Sequence, residues 1–144
     1  MLTAWHTGLT VSDLERSVAF YRDTLGMQEV RRTDIAGDGI ARMVGVPGAH
    51  LKICTLRLAD GHILELIQYA APGPQSAAGL PANSRGVPHF AFYCDDVQRT
   101  YEELRAKGVD FVASPTTVVP GRPGACYFRD PDGILLELNQ RPQQ

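Results

Sequence analysis

Two glutamates interrupt apolar segments of this 144-residue chain at matching places. Glu137 lies in the segment Asp-Gly-Ile-Leu-Leu-Glu-Leu at 132–138, and Glu65 lies in Asp-Gly-His-Ile-Leu-Glu-Leu at 60–66. Each carboxylate follows the glycine of its Asp-Gly pair at the same distance. A carboxylate in an apolar strand is costly to bury unless a partner or a metal ion compensates its charge. The shared position therefore indicates a repeated unit and a common charge partner.

Two histidines stand at matching places upstream of these glutamates. His6 lies in a strand predicted over 3–11, on the face opposite Trp5, Leu9 and Val11. His89 lies near the start of a strand predicted over 87–94. Two imidazoles and two carboxylates form a mixed nitrogen and oxygen site for one divalent ion of the Zn, Ni, Co, Fe or Mn kind. The set His6, Glu65, His89 and Glu137 is the predicted metal site.

Each residue of this set also has an ordinary explanation when it is taken alone. A single strand histidine is usually a half-buried, hydrogen-bonded side chain, and a single strand glutamate usually faces solvent. Their coincidence at matching positions of a repeat is what favours ligation.

Helices are predicted directly after the two histidine strands. Ser12-Asp13-Leu14-Glu15 has the form of a capping box, and Gly26 ends the helix that follows. In the second copy, Asp95 is the predicted N-cap, with Gln98 three residues later, and the helix extends to about Lys107. The remaining predicted elements are strands at 27–33, 50–58, 62–69, 109–113, 125–129 and 134–139, and a helical turn at 40–44.

The chain therefore repeats a β-α-β-β-β order, which predicts an α+β fold of two modules in a single domain, 1–144. The first module covers 1–70 and the second covers 87–144. The residues between them, 71–86, are rich in Pro, Gly and small polar side chains, as is typical of a linker.

Turn chemistry predicts which side chains accompany the glutamates. A two-residue Asp60-Gly61 turn would place Glu65 opposite Leu56 and put six residues on the Glu65 face: His50, Lys52, Cys54, Ile63, Ile67 and Tyr69. In the second hairpin, Cys126 would face Glu137. The predicted substrate-binding residues are His50, Lys52, Tyr69, Tyr93 and Cys126. Solvation or ordinary packing is the simpler explanation for each of them alone.

Composition limits the class of protein. The chain is 44% hydrophobic and 21% charged with a net charge of −2, and it has no run of Lys or Arg. These values argue against nucleic acid or a membrane as a partner and favour a small-molecule substrate. Three cysteines without paired spacing predict a reducing, cytoplasmic location rather than a disulfide framework.

Several segments resemble the vicinal oxygen chelate superfamily, which includes glyoxalase I and methylmalonyl-CoA epimerase. They are His-Thr-Gly-Leu-Thr-Val-Ser-Asp-Leu at 6–14, Phe-Tyr-Arg-Asp-Thr-Leu-Gly-Met at 20–27, His-Phe-Ala-Phe at 89–92, and Asp-Pro-Asp-Gly at 130–133 with Leu-Glu-Leu at 136–138. The resemblance implies paired βαβββ modules, a cupped mixed sheet around a metal ion, and a homodimer. The four ligands come from one chain or from two chains of that dimer.

The resemblance also implies proton abstraction next to a carbonyl in a substrate with vicinal oxygens. Glu137 and Glu65 are the predicted catalytic bases, and the metal ion would stabilise an enediolate or enolate. The leading prediction is an isomerase or epimerase, and the closest alternative is a lactoylglutathione lyase. Thr10 and Tyr69 replace the Arg and Asn that bacterial glyoxalases carry there. Further alternatives are an Fe(II)-dependent extradiol-type dioxygenase and a non-catalytic small-molecule binding or resistance protein.

Overall fold

The chain divides into two compact units, Met1–Ser76 and Ala77–Gln144. The structure is a computed structural model, and it describes residues 1–75 and 79–142. The module limits 1–70 and 87–144 and the linker 71–86 stay predictions. Residues 76–78 and 143–144, which fall within them, lie outside the described residues.

The first unit has a four-stranded mixed sheet. Its elements are β1 (His6–Thr10), α1 (Leu14–Ala19), a π-helical continuation over Phe20–Thr24, β2 (Gln28–Ala36), α2 (Asp38–Val44), β3 (His50–Arg57) and β4 (Ile63–Ala71). The strand order is β1-β4-β3-β2. β1 runs parallel to β4, and the other neighbours are antiparallel. The predicted helical turn at 40–44 is confirmed as part of α2.

The second unit repeats this topology. Its elements are β5 (Phe90–Cys94), α3 (Val97–Ala106), β6 (Asp110–Phe111), β7 (Ala125–Arg129) and β8 (Leu135–Gln140). The strand order is β5-β8-β7-β6, with β5 parallel to β8. The predicted α+β class and the repeated β-α-β-β-β order are confirmed.

Both repeated helices begin one residue later than the sequence predicts. Asp13 is the N-cap of α1 and accepts a hydrogen bond from the Arg16 amide at 3.0 Å. Asp96 is the N-cap of α3 and accepts from the Arg99 amide at 2.9 Å. The predicted caps Ser12 and Asp95 are wrong because the aspartate that follows each of them supplies a carboxylate for the amide three residues on.

A glutamine three residues after each site glutamate completes these helix starts. The Leu14 amide donates to Gln68 Oε1 at 2.8 Å, and the Val97 amide donates to Gln140 Oε1 at 3.2 Å. The first amides of a helix have no partner within the helix, so these side chains satisfy them and fasten each helix to the last strand of its own sheet.

One face of each sheet carries the apolar core. In the first unit the fully buried side chains include Tyr21, Leu56, Leu64 and Leu66, and in the second they include Phe128 and Leu136. Because successive strand residues point to opposite faces, Glu65 and Glu137 point away from these buried leucines, as the sequence predicts. Trp5 does not share the buried face with Leu9 and Val11, since it precedes β1 and is 73% exposed.

Both hairpins have three-residue loops, whereas the sequence predicts a two-residue turn at Asp60-Gly61 and a four-residue turn over 130–133. In the first hairpin the Leu58 amide donates to the His62 carbonyl, which leaves Ala59, Asp60 and Gly61 as a three-residue loop. In the second the Asp130 amide donates to the Ile134 carbonyl around a loop at 131–133. Both loops end on a glycine with positive φ, 92° and 78°, which suits a three-residue hairpin.

The three-residue loops change which residue lies opposite each glutamate. Thr55, not Leu56, lies opposite Glu65, and Tyr127, not Cys126, lies opposite Glu137. A shift of one residue moves a strand's side chains to the other face. The predicted register is therefore wrong in both hairpins, and Cys54 and Cys126 lie on the buried faces.

In the part of the chain that the structure describes, none of the helices has the length and apolar character needed to cross a membrane.

Candidate metal centre

His6 and Glu65 form a pair on adjacent parallel strands of the first unit. His6 Nε2 lies 3.4 Å from Glu65 Oε2, and both side chains are largely buried. Gly8 is the β1 residue directly beside Glu65. The imidazole of His6 reaches diagonally across to the carboxylate, and a Cβ at Gly8 would contact Ile67 Cδ1 at 3.4 Å rather than this pair.

His89 and Glu137 form the equivalent pair in the second unit. His89 Nε2 lies 3.0 Å from Glu137 Oε2, with 44% of the imidazole and 21% of the carboxylate side chain exposed. Ala91 lies beside Glu137, at the place that Gly8 has beside Glu65. In both units, therefore, a small residue lies beside the glutamate, two residues after the histidine that contacts it.

The cross-strand neighbours of the two carboxylates differ. The Thr55 hydroxyl donates to Glu65 Oε1 at 3.5 Å, and Thr55 is itself buried. Tyr127 lies opposite Glu137, and the His89 ring contacts its ring edge to face, with centroids 5.2 Å apart. Burial, and then the charge of Glu137, raises the pKa of Tyr127 above its usual value. Tyr127 is therefore a neutral phenol at physiological pH.

The donor atoms of each pair fit a divalent metal ion. Two ligands at the usual Zn–N and Zn–O distances, about 2.0–2.2 Å, lie roughly 2.9–3.4 Å apart when their bonds are about 90–109° apart. The observed nitrogen–oxygen separations are 3.4 and 3.0 Å. An ion pair between a protonated histidine and a carboxylate has similar distances, so this fit permits a metal without requiring one. Nδ1 of His6 is buried and has no hydrogen-bond partner among the described residues.

Each of the two pairs belongs to its own unit. Among residues 1–75 and 79–142, no group of three or more His, Cys, Asp or Glu side chains is close enough to hold a metal ion. The four-residue ligand set therefore stays a prediction. What the structure establishes is the same pairing of imidazole and carboxylate in both units.

The predicted substrate-binding residues fall on different faces. Tyr69 lies two rows along β4 from Glu65, and Tyr93 lies one row along β5 from Ala91, so both share a face with the glutamate of their unit. His50 and Lys52 alternate with Leu51 and therefore point to the other face of β3, where His50 Nε2 lies 2.5 Å from Asp34 Oδ1.

Cys126 also lies away from Glu137. It is buried at 7% exposure opposite Leu138, and burial raises the pKa of its thiol to about 11. The predictions that Cys126 faces Glu137 and that His50 and Lys52 share the Glu65 face are wrong because the three-residue loops shift the register. Their roles in substrate binding, like those of Tyr69 and Tyr93, stay predictions.

The cross-strand neighbours Thr55 and Tyr127 are missed by the sequence interpretation. They can be found only once the loop length is known, because the loop sets which residue lies opposite each glutamate. Pro131-Asp132-Gly133 has the same X-Asp-Gly form as Ala59-Asp60-Gly61. This recurrence is the signal that could have indicated a three-residue loop in both hairpins.

Comparisons with known proteins agree with this architecture. The family model described as Glyoxalase/Bleomycin resistance protein/Dioxygenase superfamily matches residues 4–138. A 2-epi-5-epi-valiolone epimerase from Actinomyces is 36% identical over 145 residues, covering 95% of this chain and 78% of the relative. A lactoylglutathione lyase from Haemophilus influenzae is 28% identical over 135 residues, covering 92% of this chain and 88% of the relative.

A solved structure of a glyoxalase family protein from Bacillus cereus has the same fold. Its TM-score is 0.87 at 22% identity, and the match covers 97% of this chain and 94% of that one. The chain is therefore built from two βαβββ units, each with one His–Glu pair. This chain belongs to the Glyoxalase/Bleomycin resistance protein/Dioxygenase superfamily, whose relatives named above include enzymes.

Proposed function

We propose that this protein is a divalent-metal-dependent isomerase or epimerase that removes a proton from the carbon next to a carbonyl. The observation that carries the proposal is the recurrence of one imidazole–carboxylate pair, at 3.4 and 3.0 Å, on equivalent strands of the two units. The 36% identity to a relative named as an epimerase supports it.

Four residues would hold the ion: His6, Glu65, His89 and Glu137. Two imidazoles and two carboxylates suit Zn, Ni, Co, Mn or Fe, and donor chemistry alone does not choose among these ions. When bound, the ion supplies a Lewis acid that polarises the vicinal oxygens of the substrate. The four ligands would come from one chain or from two chains of a homodimer.

The two carboxylates are suited to different roles. Glu65 accepts a hydrogen bond from Thr55 and is only 12% exposed, so its position is fixed. Glu137 is more exposed, and within residues 1–75 and 79–142 His89 is its only polar contact. Glu137 is therefore the proposed general base, because it is the freer carboxylate to approach a substrate C–H and take its proton.

The proton that Glu137 removes must then be returned. Glu137 itself can return the proton to the adjacent carbon, which gives an isomer. An epimer needs a proton on the opposite face of the same carbon, for which Glu65 would start the cycle protonated and donate; solvent would then reprotonate Glu65 and take the proton from Glu137. His89, at 3.0 Å from Glu137, positions the base.

A lactoylglutathione lyase is the second candidate, and it is favoured by the Haemophilus influenzae relative of that name. It would use the same proton transfer between adjacent carbons. Thr10 and Tyr69 stand where bacterial glyoxalases carry Arg and Asn, and this difference speaks against glutathione as the co-substrate. A requirement for glutathione in turnover would favour the lyase.

The Glu137→Gln variant tests the proposed base. We expect it to keep most of the bound metal, because an amide oxygen can still ligate, and to lose solvent-deuterium exchange into substrate by about 100-fold or more. Metal content would be measured by atomic emission, and exchange by NMR on a panel of 2-keto, 2-hydroxy and thioester compounds. Glu65→Gln is the matched control: it should also keep most of its metal, because the amide oxygen can ligate there too, and it should retain more exchange than Glu137→Gln if Glu137 is the base.

Full exchange activity in Glu137→Gln would contradict the role given to Glu137. Oxygen consumption by the iron-loaded protein without deuterium exchange would identify a dioxygenase instead. Small-molecule binding without metal or exchange would identify a non-catalytic binding protein.

A further inference from the structure

A row with two polar side chains, Tyr93 and Asn139, lies beside Glu137 on the same face of its sheet. Tyr93, Asn139 and Ala125 are paired across β5, β8 and β7, two residues along each strand from the row that contains Glu137. Two residues along a strand span about 6.6 Å. The row therefore lies next to the proposed base, at the distance of a substituent on a small substrate.

Arg141 extends over this row. Its amide donates to the Cys94 carbonyl at 2.8 Å, which continues the pairing of β8 with β5 beyond the end of the strand. Its guanidinium carbon lies 5.2 Å from the centre of the Tyr93 ring. A guanidinium over an aromatic face is held by cation–π attraction, so this cation has a defined place although Tyr93 is 64% exposed.

The charge of Arg141 is not compensated by the described residues. Arg22 and Arg99 have the carboxylate partners Asp23 and Glu103, whereas Arg105, like Arg141, lies over a tyrosine ring. Among residues 1–75 and 79–142, neither the Arg141 guanidinium nor the side-chain amide of Asn139 has a carboxylate or carbonyl partner. These donors are thus available to an external oxygen acceptor.

The first unit lacks such a row. The strand positions equivalent to Tyr93, Asn139 and Ala125 are Thr10, Ile67 and Ile53, which are paired across β1, β4 and β3. Tyr69 stands at the place equivalent to Arg141. Within the described residues, only the second unit places an amide side chain one row from its site glutamate and a cation two rows from it.

We propose that Arg141, Tyr93 and Asn139 form a subsite for an anionic group, a carboxylate or a phosphate, on the substrate. The position of the substrate's carbonyl at Glu137 rests on the proposed function, whereas the anion contacts do not. The guanidinium donates two parallel hydrogen bonds to such an oxyanion. The Tyr93 hydroxyl and the Asn139 amide supply further donors.

Three ligands with the same hydroxymethyl ketone head and different tails test this subsite, because this head has vicinal oxygens but no charge of its own. They are 1-hydroxy-2-pentanone, 5-hydroxy-4-oxopentanoate and the phosphonate analogue of that acid, and binding to metal-free and zinc-loaded protein would be measured by calorimetry. We expect the charged tails to bind about fivefold tighter than the neutral tail, which is the effect of one partly exposed ion pair. Comparison of the two charged tails distinguishes carboxylate from phosphate.

Arg141→Met should abolish the preference for charged tails and leave the binding of the uncharged 1-hydroxy-2-pentanone unchanged. Arg105→Met is the matched control, because Arg105 also lies over a tyrosine ring, Tyr101 at 6.0 Å, but on α3. Tyr93→Phe keeps the ring and should keep most of the preference, whereas Tyr93→Leu should lose it.

A preference that survives Arg141→Met, or that Arg105→Met removes equally, would overturn the proposal, and so would equal binding of all three ligands by the unaltered protein. The preference in metal-free protein would stand even if the proton-transfer function failed. Conversely, metal-dependent exchange without any effect of Arg141→Met on tail preference would leave the function standing and remove the subsite.

Discussion

Burial determines how readily the thiols of Cys54 and Cys126 ionise. Both face the apolar side of their sheets, at 0% and 7% exposure. Burial is the largest cause that raises the pKa of each thiol to about 11, and nearby charges add less. A thiol in this state is protonated at physiological pH and is a poor nucleophile. Cys126 is therefore a core residue rather than a reactive group beside Glu137.

Alkylation by iodoacetamide tests this assignment. A pKa of about 11 in place of 9.0 leaves about 100-fold less thiolate at pH 8. We expect Cys54 and Cys126 to react at least that much more slowly in the folded protein than in urea, with rates that rise with pH toward 11. Mass spectrometry of timed digests gives the rate at each site. Rapid labelling of Cys126 in the folded protein would show that its thiolate is accessible.

At this scale the repeat predicts more than single residues do. His6 with Glu65 and His89 with Glu137 are paired as matching positions on first and last strands would require. Thr55 and Tyr127 are not predicted, since each lies opposite its glutamate across a hairpin whose loop differs in length from the prediction. A residue's own type and spacing predict its face, but its cross-strand neighbour depends on the turn.

The secondary-structure elements are fastened by local hydrogen bonds that the sequence shows only in part. Asp13 and Asp96 cap their helices, whereas the sequence predicts the residue before each of them, Ser12 and Asp95. Gln68 and Gln140 bind the helix starts from a strand more than 40 residues away. Such a contact is not visible in a window of neighbouring residues, although its recurrence in both units is.

The loop after β7 should be the more sensitive of the two hairpin turns. Asp130 is 5% exposed, and its Oδ1 accepts from the amides of Asp132 and Ile134 at 2.9 and 2.8 Å. We expect Asp130→Ala to lower the free energy of unfolding by about 1–3 kcal/mol, because two buried amides lose their acceptor. Urea denaturation measures this change.

Asp60→Ala is the matched control for that loop. Asp60 is exposed and accepts one amide bond, from His62 at 3.0 Å. We expect its cost to be below about 1 kcal/mol. Equal losses in the two variants would show that the buried Asp130 bonds do not stabilise the second hairpin as described.

At the scale of the whole molecule, each unit supplies one half of the proposed ligand set. The internal repeat, read from the sequence, assigns one histidine and one glutamate to each unit, and that the four bind one ion stays a prediction. The segments that we expect to shape the substrate pocket, 34–49 and 115–125, have no readable motif. The sequence therefore does not identify the substrate.

Metal-dependent stability tests whether the two halves act as one site. A ligand that binds only the folded state at 100 times its Kd stabilises by about 2.7 kcal/mol, which corresponds to a rise in Tm of roughly 5–10 °C for a chain of this size. We expect zinc or nickel to produce such a rise and a chelator to reverse it. Because the proposed site needs both pairs, His6→Ala and His89→Ala should each abolish the rise, as scanning calorimetry would show.

His50→Ala is the control for this experiment, since His50 points away from Glu65 and pairs with Asp34. It should retain the full metal-induced rise. If His6→Ala and His89→Ala each removed only half of the rise, the two pairs would be independent weak sites. An unchanged rise in both variants would place the metal elsewhere and contradict the proposed ligand set.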